Sequence, residues 1–170
     1  MVKPIQHQRR KLIRGLLITA CAGGLPYSAL RSAESTAQKK VIEIWKSPTC
    51  GCCNDWIKHL EANGFKTRAY DQGNTAKRRD VGMPVQYGSC HTALIEGYVI
   101  EGHVPAREIK RLLKERPKAL GLAVPEMPIG TPGMDGPEYG GQLDPYNVLL
   151  VRQDGTARIY QAYTNKRAPK

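Results

Sequence analysis

Trp45-Lys46-Ser47-Pro48-Thr49-Cys50-Gly51-Cys52-Cys53-Asn54-Asp55-Trp56 places three thiols within four residues, directly after the apolar run Val41-Ile42-Glu43-Ile44-Trp45. Two spacings are nested in it. Cys50 and Cys53 form a C-x-x-C pair at the start of a helical pattern, where unpaired backbone N–H groups lower the pKa of the first thiol. Cys50 and Cys52 form a C-x-C pair that lets two thiolates reach one soft ion. The neighbours Cys52 and Cys53 close on each other only with strain. Strand, C-x-x-C and helix make the thioredoxin-like arrangement of a dithiol redox site with Cys50 and Cys53 as its pair. The third cysteine, superfluous to a dithiol, is useful to a metal. Cysteines that merely fill a core or lock routine disulfides are the blandest alternative.

Outward from this stretch, Val41 to Trp45 reads as a first strand. The helix after it carries Cys53, Trp56, Ile57 and Leu60 on one face and stops at Asn63-Gly64. His59 falls at the border of that face and is expected to face solvent. Phe65 to Tyr70 is a second strand, giving a βαβ unit. Asp71 to Gly82 is weakly helical, with Thr75 as its cap. Ser89 to His103 reads as two strands joined at Glu96-Gly97, with Cys90 and His91 at the start and His103 at the finish. Because such strands run antiparallel, these three donors come to one end of the sheet. Pro105 opens a further helix with Ile109, Leu112 and Leu113 as its buried stripe, ending at Arg116.

After Pro117 the character changes. Residues 121–146 hold Pro125, Pro128, Pro132, Pro137 and Pro145 with many glycines, which argues against regular helix or central strand and for an ordered wrapped loop. Asn147 to Val151 and Thr156 to Tyr160 form a final hairpin around Asp154-Gly155. The fold class expected is therefore α/β: a thioredoxin-like domain over residues 38–117, a proline- and glycine-rich carboxy-terminal extension over 118–163 that packs on it and ends in a hairpin, and a disordered tail over 164–170. One moderate domain with an extension also suits 170 residues, which hardly hold two independent cores.

Residues 1–37 read as a leader. A basic stretch precedes the apolar run of residues 15–25, which is too short to span a bilayer. Small residues offer cleavage near Ala22 and near Ala37, and Ile18-Thr19-Ala20-Cys21 is a loose lipoprotein box in which Cys21 would be lipidated. Arg9-Arg10 hints at twin-arginine export. The expected location is the periplasm, anchored by lipid if Cys21 is modified. The formal charge of +11 loses force here, because six of the 26 Lys and Arg but one of the 15 Asp and Glu precede residue 38, leaving a net +6. No zinc-finger spacing or basic helix interleaved with aromatics accompanies it, so nucleic acid is not an expected partner. In an oxidising compartment Cys50, Cys52, Cys53 and Cys90 would pair off unless a metal or a dedicated reductant protected them.

Four thiolates with imidazole and thioether groups nearby select soft ions: Cu(I), Zn(II) or an iron–sulfur centre. Zinc usually asks for two well-separated cysteine pairs. Three clustered cysteines plus one distant favour bridging thiolates, which Cu(I) accepts. Met83, Met127 and Met134 all lie in proline- and glycine-rich loops, and a thioether suits copper better than zinc. Gap filling in the core is the alternative for each, strongest for Met83. Trp45 and Trp56 are expected to be core and rim residues that screen the thiols from water.

Cys50-Gly51-Cys52-Cys53, Gly82-Met83-Pro84 with Ser89-Cys90-His91-Thr92, Ile100-Glu101-Gly102-His103-Val104-Pro105, and Met127-Pro128 with Pro132-Gly133-Met134 together resemble the CopG-like copper-resistance proteins exported by Gram-negative bacteria. The resemblance spans about residues 40–161. It implies a thioredoxin-like domain whose extension brings extra ligands, and a centre of several Cu(I)/Cu(II) ions bridged by Cys50, Cys52, Cys53 and Cys90. It makes His91, His103, Met127 and Met134 outer ligands, with Met83 less certain. The implied role is copper binding in resistance, by sequestration, by delivery to a copper efflux or electron-transfer partner, or by redox conversion of the metal as a copper oxidoreductase, in a monomeric protein. The rivals are a thiol-disulfide oxidoreductase using Cys50 and Cys53, and a structural zinc module.

Overall fold

A computed structural model describes residues 41–164; the expected leader, the Cys21 anchor and residues 165–170 of the expected tail lie outside the described residues. Strand β1 (Val41–Lys46) alternates, putting Ile42 and Ile44 into the core. Helix α1 (Gly51–Ala62) lays Cys53, Trp56 and Leu60 onto that core and leads to β2 (Lys66–Tyr70), parallel to β1. Gly64, at φ +89°, makes the turn between them.

Helix α2 (Thr75–Asp80) is short, and its cap position is Asn74, not Thr75 as the sequence suggested. The Asn74 side chain is engaged elsewhere: its Nδ2 donates to Ser89 O at 3.1 Å and to Thr92 Oγ1 at 3.3 Å. β3 (His91–Ile95) runs antiparallel to β1, and β4 (Tyr98–Glu101) antiparallel to β3. Glu96 and Gly97, with φ of +47° and +84°, supply the tight turn that a two-residue hairpin requires.

Helix α3 (Ala106–Glu115) buries Ile109, Leu112 and Leu113 and crosses back to β5 (Gly121–Ala123), parallel to β4. Here the expectation for residues 121–146 fails at its first three positions. They form a fully buried central strand, because the first proline comes only at 125 and the pairing needs just three residues. Gly121 is required there: a Cβ would fall 1.7 Å from Val99 O. β6 (Tyr146–Val151) and β7 (Ala157–Tyr163) form the expected hairpin, and β6 pairs with β5, so all strands join one mixed sheet in the order β2-β1-β3-β4-β5-β6-β7.

One face of the sheet, with Ile42, Ile44, Ile100 and Leu122, packs against α1 and α3, whose Trp56, Leu60, Ile109 and Leu112 are fully buried. Each such side chain contributes about 1.5–3 kcal/mol relative to exposure. A smaller cluster, Met83 with Val99, Ala123 and Val151, forms a separate core. No described helix is long and apolar enough to cross a membrane.

Candidate metal centre

Cys50 occupies the N-cap position of α1 in extended backbone, and no acidic residue lies in the first turn. The unpaired N–H groups of that turn thus favour negative sulfur beside them. Cys53 is one turn along, on the buried face with Trp56 and Leu60. Cys50 and Cys53 are joined as a disulfide, while Cys52 and Cys90 are free and half-buried. Cys52 Sγ lies 3.5 Å from Cys50 Sγ, and Cys90 Sγ lies 3.5 Å from Cys53 Sγ. All four sulfurs fall within 4.8 Å of one another.

The β3–β4 hairpin brings the remaining donors. Thr92 pairs with Glu101, so one step further His91 faces Gly102, whose N–H donates to His91 O at 3.0 Å. Cys90 and His103 then stand side by side. Cys90 Sγ is 3.0 Å from His103 Nε2 and 3.3 Å from His91 Nδ1. Both imidazoles are fully buried, and the His91 ring lies tilted by 34° against Trp56 at 4.1 Å between centroids; the Trp56 indole N–H donates to Val104 O at 2.9 Å. Burial, with the neighbouring His103 adding to it, holds His91 well below the ordinary histidine range; burial also lowers His103, against the pull of its bond to Pro132. Neutral imidazoles are the form that ligates metal. Burial, then the nearby Cys52, pushes the Cys90 thiol up to about 12, so it keeps its proton until an ion displaces it.

The segment before Cys90 is held by a buried carboxylate. Glu101, fully buried, accepts from Ser89 N–H at 2.8 Å, Arg78 Nε at 2.8 Å and Thr92 Oγ1 at 2.6 Å. Arg78 also donates to Ser89 O. Burial outweighs these donors and raises the Glu101 pKa. The sequence reading missed this clamp, although a carboxylate at the end of an otherwise apolar strand was the available signal.

The methionines separate. Met134 is buried, its Sδ accepting from Tyr139 O–H at 3.2 Å. Its neighbour Gly133, at φ +85°, seats the loop on the cysteine turn, where a Cβ would come within 2.5 Å of Cys52 O and 2.7 Å of Trp56 N. Met127 is 48% exposed and lines a surface depression with Cys90, Ser89, Glu126, Val85 and Arg78. Met83 fills the smaller core, the gap-filling alternative. His59 does not face solvent freely: it is half-buried, and its Nε2 accepts the N–H of Ala106 at 3.1 Å, serving the first turn of α3 that Pro105 leaves uncapped. Trp45 stacks on Tyr70 at 4.8 Å, with the Lys77 ammonium over its ring.

Comparison with known proteins points the same way as the donor set. Two solved structures, of copper resistance protein CopG in its forms 2 and 1, are each 42% identical in sequence, with TM-scores of 0.69 and 0.68. They cover 75% and 74% of this chain and 100% and 98% of their own. The chain belongs to the CopG family of copper-resistance proteins. A family profile described as "Protein of unknown function, DUF411" matches residues 87–134, the span from the Cys90 loop to Met134. No curated protein matches the chain. The CopG resemblance drawn from the cysteine, histidine and methionine motifs is thereby shown.

Proposed function

We propose that the protein binds copper through Cys50, Cys52, Cys53 and Cys90 as bridging thiolates, with His91, His103, Met134 and Met127 as outer ligands, and that this binding serves copper resistance. The observation that carries the reading is four sulfurs within 4.8 Å, one of which, that of Cys90, comes from a distant part of the chain and is met there by two buried imidazoles. Soft thiolates in such density suit Cu(I). The donors are close enough to share an ion: gaps of 3.0 to 3.5 Å need widen by only about half an ångström or less to reach what one four-coordinate metal bonded at about 2.3 Å to sulfur and about 2.0 Å to nitrogen imposes. Relatives named for copper resistance support the same assignment.

Full occupancy requires that the Cys50–Cys53 disulfide take up two electrons to give two thiolates. Removal of free Cu(I) protects a cell by itself; delivery to an efflux or electron-transfer partner, and conversion between Cu(I) and Cu(II), would use the same ligands. We place the activity in the periplasm, on a domain read as thioredoxin-like from β1-α1-β2 with C-x-x-C at the helix start. The second reading, a thiol-disulfide oxidoreductase, is favoured by one observation, the Cys50–Cys53 disulfide at the amino end of α1.

The test is metal analysis and absorption spectroscopy on protein reduced and loaded without air, in wild type and Cys90→Ser. The copper reading expects more than one Cu(I) per wild-type chain and loss of most of it in the variant. Copper uptake unaffected by Cys90→Ser, together with retained disulfide-reductase activity, would overturn it. A tight, colourless zinc protein indifferent to Met134→Ala would instead support the zinc module.

A further inference from the structure

We propose that Cys90, His91 and His103 form a self-contained site for one borderline-soft divalent cation, and that this site stays complete when Cys50 and Cys53 are closed as a disulfide. The three donors, one ligand atom from each, lie within 4.8 Å of one another and include neither partner of the disulfide. One thiolate and two neutral imidazoles are the donor set of divalent zinc, cobalt or copper, in contrast to the all-sulfur set that selects Cu(I).

Three features show that the trio is built for a ligand. The first is orientation. His103 Nδ1–H donates to Pro132 O at 2.8 Å, which leaves the Nε2 lone pair directed at Cys90 Sγ; this is the outer hydrogen bond that fixes a metal-binding imidazole. The second is an open account of hydrogen bonds. The Cys90 S–H can donate to one imidazole, and His103 Nε2 at 3.0 Å is its acceptor. The Nε2 of the fully buried His91 ring, for its part, has no hydrogen-bond partner. A polar cluster that does not close on itself is one that awaits an ion. The third is rigidity. His91 and His103 are fixed by the β3–β4 register, and the residue before Cys90 is gripped on both its N–H and its carbonyl by Glu101 and Arg78.

Three protein ligands leave a fourth position open. Cys90 lines the surface depression that holds Met127, which gives that position access to solvent. Binding exchanges the Cys90 thiol proton for the cation, so one proton is released to solvent and no electron moves. The inference goes beyond the four-sulfur copper centre: that centre needs the disulfide reduced, and this site does not.

The probe is Co(II), which does not oxidise thiols as Cu(II) does. Full-length protein is prepared with the Cys50–Cys53 disulfide intact, confirmed by thiol counting, and titrated. The expected result is one Co(II) per chain, with the visible bands of a four-coordinate ion and a sulfur-to-cobalt charge-transfer band. His103→Ala should weaken binding by about tenfold or more. Cys90→Ser should abolish the charge-transfer band, and Cys52→Ser should leave it intact. Should Cys90→Ser not fold, alkylation of Cys90 in the folded Cys52→Ser protein replaces it as the control. The proposal is overturned if the oxidised protein shows no charge-transfer band, or if the band survives loss of Cys90 or vanishes with Cys52→Ser. Cu(I) uptake by the reduced wild type, measured alongside, tests the copper centre separately, so either can fail without the other.

Discussion

The sulfurs of residues 50–53 and the donors at 90, 91 and 103 reach one end of the sheet by different means. The first group is contiguous: a loop and one helical turn place three thiols together, two of them already bonded to each other. The second is assembled by a hairpin register and held from behind by the fully buried Glu101 and its partner Arg78. The difference lies in what oxidation does. In the first group it removes two donors at once; in the second it leaves all three donors free, because neither Cys90 nor either imidazole takes part in the disulfide.

The most severe way to break this division is Cys90→Ser, which removes the sulfur common to both groups. Copper retained by the reduced protein after desalting should fall by more than the about 10–100-fold typical of losing an outer-shell partner. Next is the clamp. Glu101→Ala leaves Arg78 without its buried partner and should cost about 3–5 kcal/mol in urea denaturation, with broadened copper spectra in whatever protein folds. Met83→Ala tests the opposite claim, that this thioether belongs to a core and not to the centre. It should cost about 2–5 kcal/mol while leaving the copper-to-protein ratio unchanged.

The smallest effect concerns His59. Burial lowers its pKa, with Asp135 opposing and Lys110 adding, and its neutral Nε2 serves the Ala106 N–H. As pH falls through the ordinary histidine value of about 6.5, the unfolded chain takes up a proton that the folded chain refuses. Stability therefore declines with acidification until the folded pKa is reached. His59→Gln keeps an acceptor but does not titrate, so its melting temperature should vary less between pH 7.5 and pH 5.5.

Much of this arrangement was legible in the sequence because it is local. The C-x-C-C cluster, the helical stripe of Trp56 and Leu60, and the turn at Glu96-Gly97 each carry their signal within a few residues, and the hairpin alone predicts that Cys90, His91 and His103 converge. What escaped is what only pairing creates. Gly121–Ala123 is too short for any pattern and becomes a central strand through β4 on one side and β6 on the other. Met83, for which gap filling in a core was the strongest alternative, sits beside a proline with no periodicity around it, so the chain does not say which core it fills. Arg78 and Glu101 are far apart in sequence, and their purpose is visible only in the backbone of Ser89 between them. His59 looked exposed because the helix whose N–H it accepts begins 47 residues later.

The parallel match of β4 with β5 has a practical corollary for anyone wishing to trim the molecule to its thiol-bearing half. A chain stopped at Arg116 would bare the flank of β4, a strand buried along its whole length, together with its unpaired amides and carbonyls. Such a flank is a template for another chain to add to. The shortened protein should therefore be recovered as self-associated material, and metal titrations on it would report on that assembly, not on the centre of the intact chain.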